Sequence, residues 1–270
     1  MPSSTRAPST IPVTLRSAPL AIPALLSLPE NATVDSPAPA ALLLHGFNGH
    51  KEKITSILGK AFIRAGIATL AIDLPLHGDR GENWDLAHGL QLLSLWQNAL
   101  EECDAAIRYL HQQPALDRTR IGIAGYSVGG LLALGVTAHQ PSVRALAMLA
   151  SGDLPSRSPV ATALRIVLDP IRAVRHVAGV PLLMVNGRHD RIFQRGEVER
   201  LFDAAPEPKE LRWLATGHRL VGEAARVAAD WMSSRLEESA EAAASRPRVD
   251  DMPHAADRDL PPDSVHLDPR

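Results

Sequence analysis

The sequence predicts an α/β protein with a mostly parallel central sheet and helices on both faces. Three observations carry that expectation. Short runs rich in Val, Ile, Leu and Ala recur along the chain, longer segments with apolar residues at helical spacing separate them, and 270 residues with 45% hydrophobic content suffice for one large domain.

Val13 to Leu15 and Ala24 to Leu28 read as a leading antiparallel hairpin, and the prolines at 19, 23 and 29 favour edge positions for it. Six runs follow as sheet strands: Ala40 to Leu44, Ile67 to Ile72, Arg120 to Ala124, Ala145 to Leu149, Leu182 to Val185 and Leu211 to Leu214. Between them, Ile54, Ile57, Leu58, Ala61, Phe62 and Ala65 form one helical stripe, and Leu93, Trp96, Leu100, Cys103, Ile107 and Leu110 form another. Leu131 to Ala138 and Ala224 to Leu236 read as further helices. The domain is expected over 11–236, behind a flexible N-terminus at 1–10 and with a short cap segment at about 152–179. Residues 237–270 hold few large apolar side chains and many charges and prolines, which predicts a disordered tail.

Composition excludes several partners. A net charge of −2 provides no electrostatic drive toward nucleic acid or anionic membrane. A single cysteine, Cys103, rules out an internal disulfide, and its place in an apolar stripe makes it a core residue. No run of about 18 apolar residues appears, and the N-terminal MPSSTRAPSTIPV has no secretory apolar core. A cytoplasmic protein is expected. The eleven histidines form no compact ligand spacing, so no metal is expected.

The chemistry is read from three segments. Gly125-Tyr126-Ser127-Val128-Gly129-Gly130 follows the strand RIGIA and opens the apolar helix LLALGVTA. A serine on a sharp strand-to-helix turn needs small residues two before and two after it, and Gly125 and Gly129 hold those places. A glycine-rich turn could also be plain structure or a phosphate cradle, but no Lys-Ser/Thr follows these glycines and no complete G-x-G-x-x-G is present. Ser127 is therefore the candidate nucleophile, and the amide of Val128 one candidate oxyanion donor. The second segment, His45-Gly46-Phe47-Asn48-Gly49, ends the strand ALLL, where Phe47 N–H is the candidate second donor. The third signal is an acid and a base after the serine, in the order Ser, Asp, His. Asp190 follows PLLMVNGRH and His218 follows LRWLATG, both beyond the carboxyl ends of strands, where open α/β sheets place their sites. His218 would accept the Ser127 proton, and Asp190 would fix the imidazole tautomer. Asp153 and Asp169 compete for the acid role, and His189 and His176 for the base.

With these segments in order, the chain resembles the α/β-hydrolase superfamily over roughly residues 11 to 236. LLLHGFNGHKE and AIDLPLHGDRGE are similar to the small bacterial esterases and the dienelactone-hydrolase or prolyl-oligopeptidase-like branch. The resemblance implies a serine hydrolase without a cofactor, acting on a small-molecule ester through Ser127, Asp190 and His218, with Phe47 and Val128 as the oxyanion hole. The namesake dienelactone hydrolases carry a cysteine where this chain has Ser127, so the generic esterase activity is the one implied. The segment from Asp73 to Asp79 is similar to a pocket-shaping loop of that branch, and His77 receives no catalytic role.

A short cap implies an open site for small or medium esters. Arg157, Arg165, Arg172 and Arg175 there could meet an acidic substrate or merely form a solvated face. Peptide or thioester cleavage and acyl transfer would use the same residues. A non-catalytic receptor on this fold has no need of an intact serine, acid and base together.

Overall fold

The computed structural model describes residues 9–17, 20–81, 92–155, 165, 168–219 and 222–244. One eight-stranded sheet organises them, in the order β1-β2-β4-β3-β5-β6-β7-β8. The strands are β1 (Ser9–Ser17), β2 (Leu20–Leu28), β3 (Ala38–Leu44), β4 (Ala68–Ile72), β5 (Leu116–Tyr126), β6 (Val143–Leu149), β7 (Leu182–Gly187) and β8 (Lys209–Leu214). β1 and β2 pair antiparallel, β2 joins β4 antiparallel, and every pairing from β4 to β8 is parallel.

The six predicted sheet strands are all present, and the leading hairpin is there too, longer than expected. Its placement differs from the expectation in one respect. β1 is an edge, but β2 is an interior strand with a neighbour on each side. Pro23 is tolerated because the β2–β4 register begins only at Ala24, paired with Ile72, so the missing N–H falls outside that ladder.

Helices cover both faces. On one side lie α1 (Lys51–Ile54), a π-helical turn (Thr55–Gly59), α2 (Lys60–Arg64) and the long α7 (Gly222–Ala244). On the other lie α3 (Leu92–His111), α4 (Val128–Thr137), α5 (Pro170–Val174) and α6 (Arg195–Ala204). Period-2 alternation divides the strands between two cores: Ala40, Leu42 and Leu44 lie on the face covered by α3 and α4, while Ala41 and Leu43 lie on the face where α1 and the π-helical turn pack on β3. In the α3 stripe Trp96, Cys103, Ile107 and Leu110 are buried, but Leu93, in the first turn, is 49% exposed and lies outside the core. The Cys103 thiol is fully buried, and desolvation pushes its pKa up, aided by the charges of Glu102 and Asp104.

The domain limits shift slightly. β1 starts at Ser9, and α7 runs past Leu236 to Ala244. The last buried contact of α7 is Leu236, but the following EESAEAAA consists of strong helix formers, so propensity carries the helix beyond its packed part. The remaining tail and the residues before Ser9 lie outside the described residues, as do 156–164 and 166–167 of the cap segment. No helix among the described residues is long and apolar enough to cross a membrane.

Candidate active site

The parallel strands end on one side of the sheet, and the predicted residues gather there. Ser127 lies between β5 and α4 at φ 57° and ψ −119°, a left-handed conformation rare for a residue with a Cβ. The turn is held by Ser127 N–H donating to the Leu149 carbonyl at 2.8 Å. Close packing makes the conformation possible: a Cβ on Gly125 would lie 2.0 Å from the Gly129 carbonyl oxygen, and one on Gly129 would lie 2.4 Å from the Leu44 oxygen. Both glycines are required by backbone, which cannot move aside as a side chain could.

His218 follows β8, and its Nε2 stands 3.1 Å from Ser127 Oγ. Its Nδ1 stands 2.8 Å from Asp190 Oδ2. The other carboxylate oxygen of Asp190 accepts from Ile192 N–H at 2.8 Å and Phe193 N–H at 3.1 Å, so the loop after β7 fixes the acid without help from solvent. The two loops interlock. His189 N–H donates to the Thr216 carbonyl at 2.9 Å, and Gly187 passes so close to residues 216 and 217 that a Cβ would meet the Gly217 oxygen at 2.3 Å. Tyr126 Oη donates to the His218 carbonyl at 2.7 Å, and the Phe193 ring stacks near the imidazole with centroids 6.1 Å apart. Ser127 and Asp190 are buried, at 7% and 6% exposure, whereas the His218 side chain keeps 21% and so remains open to a ligand.

The oxyanion candidates flank the serine. Val128 opens α4, so its N–H has no carbonyl one turn back within the helix. Gly46 packs against the elbow, with its Cβ position 3.1 Å from Ser127 Cβ, and this brings the loop carrying Phe47 beside Ser127.

The competing residues are committed elsewhere. Asp153 receives Arg165 Nη2 at 3.1 Å and Arg200 Nε at 3.2 Å. Asp169 caps α5 by accepting from Arg172 N–H at 3.1 Å. His189 and His176 are exposed. In the cap segment, Arg165 is occupied by Asp153, Arg172 and Arg175 are exposed on α5 and just after it, and Arg157 lies outside the described residues. No group of three or more potential metal ligands occurs among the described residues. A cleft of about 690 Å³ beside the amino ends of β6 and β7, lined by His139, Arg144 and Arg235, contains none of the site residues. It lies at the wrong end of the strands for this chemistry.

A buried polar cluster behind the oxyanion loop was not singled out from the sequence. Lys51 Nζ lies 2.8 Å from Asp73 Oδ2 and 2.6 Å from Asp79 Oδ2, and Asp73 Oδ1 accepts from Lys51 N–H at 2.8 Å. Burial opposes the Lys51 charge, but hydrogen bonds to Asp73, Asp79 and Glu52 outweigh it and raise its pKa above the ordinary lysine value. Arg80 closes the cluster on Glu102 with two hydrogen bonds of 2.6 and 2.9 Å. The available signal was Asp73 directly after ATLAI, a run with Thr69 as its one polar residue, where a charge has to find a partner.

Comparison with known proteins supplies the family. The model of the dienelactone hydrolase family matches residues 22–210, more than half of the 270-residue chain. The chain belongs to the dienelactone hydrolase family. Esterase YjfP of Escherichia coli strain K12 is 26% identical over 243 residues, covering 80% of this chain and 96% of that protein. Among solved structures, TT1662 from Thermus thermophilus superposes with a TM-score of 0.68 at 24% identity, covering 85% of this chain and 98% of its own. A cold-adapted esterase from an Arctic intertidal metagenomic library superposes with a TM-score of 0.66 at 20% identity, over 85% of this chain and 94% of its own. At those identities the structures establish the α/β-hydrolase fold alone. As a dienelactone hydrolase family member, the chain is a hydrolase by family, and it has a serine at the elbow.

Proposed function

We propose that this dienelactone hydrolase family member is a serine esterase that cleaves small to medium carboxylic esters through an acyl-enzyme on Ser127. The observation that carries the reading is the hydrogen-bonded chain Ser127 Oγ, His218, Asp190 at 3.1 and 2.8 Å, with the serine held in a strained elbow. Similarity to an esterase over most of the chain supports the ester bond as the target.

In this reading Ser127 Oγ attacks the ester carbonyl carbon and its proton passes to His218 Nε2. The carbonyl oxygen becomes an oxyanion facing the amides of Phe47 and Val128. Asp190 keeps the imidazole in its Nδ1–H tautomer and stabilises the imidazolium. The intermediate collapses, the C–O bond to the alcohol breaks, and His218 returns the proton to the departing alkoxide. Water, deprotonated by His218, then attacks the acyl-enzyme, the bond from the acyl carbon to Ser127 Oγ breaks, and His218 returns the proton to Oγ as the acid leaves.

The test is a chain-length series of p-nitrophenyl esters and a fluorophosphonate probe, applied to the wild type and to Ser127→Ala and His218→Ala. Turnover and labelling of the wild type, absent in Ser127→Ala and strongly reduced in His218→Ala, are expected. A folded wild type that neither turns over nor labels would end this reading.

A further inference from the structure

His45 is a buried imidazole that the proposed chemistry leaves unused. It directly follows β3 and is 1% exposed. Its Nε2 lies 3.1 Å from the Leu74 N–H, which can only donate, so Nε2 is the acceptor and the ring proton resides on Nδ1. Nδ1–H then donates to the Gly46 carbonyl at 2.9 Å. The opposite tautomer would set two acceptors face to face at that distance. The Gly46 oxygen also accepts from Gly49 N–H at 2.9 Å, so both of its lone pairs are engaged.

A planar trans peptide points its N–H opposite to its carbonyl, and the Gly46–Phe47 bond is trans. Holding the Gly46 carbonyl therefore sets the direction of the Phe47 N–H. The anchor for His45 is itself rigid: Leu74 follows Asp73, whose carboxylate receives Lys51 N–H and Lys51 Nζ, both at 2.8 Å, and Asp79 N–H at 3.0 Å. The loop has no slack at Gly49 either, where a Cβ would lie 2.8 Å from His45 Nδ1. Burial keeps the imidazole neutral by lowering its pKa to about 4.

We propose that His45 is a positioning residue for the oxyanion hole: as the Nδ1–H tautomer docked on Leu74, it aims the Phe47 N–H at the oxyanion. This rests on the serine-esterase reading above. His45 acts through the Gly46 carbonyl and does not touch the substrate.

Two substitutions separate its two hydrogen bonds. His45→Asn places an amide N–H where Nδ1–H stands and loses the acceptor for Leu74, whereas His45→Gln places an amide oxygen near Nε2 and loses the donor to Gly46. With p-nitrophenyl acetate, H45N is expected to keep kcat close to the wild type. H45Q is expected to lose about 10²-fold in kcat with KM little changed, the size of a lost oxyanion donor. Equal losses in kcat, or a loss confined to H45N, overturn the proposal. Nitrogen NMR of the histidines in the wild type is independent of how either variant folds. A His45 ring protonated on Nδ1 at pH 7 is expected, and one protonated on Nε2 overturns the proposal. Failure of the esterase reading shows differently, as a wild type that the fluorophosphonate does not label at Ser127.

Discussion

Ser127 and its two partners show how much depends on the position of single atoms. In the proposed mechanism the imidazole works only while Nε2 faces Ser127 and Nδ1 carries a proton toward Asp190, and the carboxylate 2.8 Å away favours that tautomer. Asp190→Asn keeps the shape but allows the wrong tautomer, so kcat for a p-nitrophenyl ester is expected to fall about 10⁴-fold with the fold intact. Steady-state kinetics checks this, and a loss under tenfold would contradict the assigned role of the acid. His45 gives a second prediction, in stability. Its imidazole has a pKa of about 4 when folded, held down by burial, against an ordinary value of 6.5. Between these values only the unfolded chain binds the extra proton, so stability drops as pH falls from about 6.5 to about 4 and changes no further below. At about 1.4 kcal/mol per unit, His45 accounts for up to about 3 kcal/mol of that drop. Denaturant titrations across this range should show a shallower pH dependence for His45→Asn than for the wild type. Parallel curves would show that His45 is not the titrating group.

At the level of elements, the elbow and the oxyanion loop are built from backbone pressed against backbone. Gly129→Ala would drive a methyl into the Leu44 and His45 carbonyls, at 2.4 and 2.5 Å. It is expected to cost at least about 2 kcal/mol by overpacking and to abolish fluorophosphonate labelling. Urea unfolding together with labelling tests both effects. A stable, labelled variant would mean that the elbow is looser than the contacts require. The junction between the oxyanion loop and the loop after β4 depends on Lys51 and Asp73, with side chains 4% and 0% exposed. Lys51→Met leaves the Asp73 carboxylate buried without its ammonium and is expected to destabilise by about 3 kcal/mol. Chemical denaturation measures this, and a change within about 0.5 kcal/mol would place the pair among contacts of no net value.

For the whole molecule, the two cores share one sheet, and each face needs its helices. On one face α7 contributes Ala224, Ala225, Ala228, Ala229, Met232 and Leu236, all buried. Calorimetry of the 270-residue chain sets the reference for testing how far that face depends on α7. A chain ending at Arg219 lacks α7, exposes that face of the sheet and should not fold. A cooperative melt of the Arg219 chain near the temperature of the 270-residue chain would show that the sheet does not need α7.

The sequence by itself determined the sheet strands and the serine elbow, because both are local. An apolar run of fixed period and a glycine two residues either side of Ser127 are constraints that neighbouring residues impose on one another. It also pointed to Asp190 and His218, since their loops follow strands whose parallel order places those ends together. Tertiary structure alone decided that β2 is interior, because strand order depends on which partner a distant segment offers, here β4. It likewise decided that Asp190 rather than Asp153 reaches His218, since Asp153 is taken by Arg165 and Arg200 from elements distant in sequence. The pairings of Lys51 with Asp73 and of His45 with Leu74 were illegible for the same reason: the value of a buried charge or imidazole is set by the partner opposite it, and sequence spacing carries no information about partners across the fold.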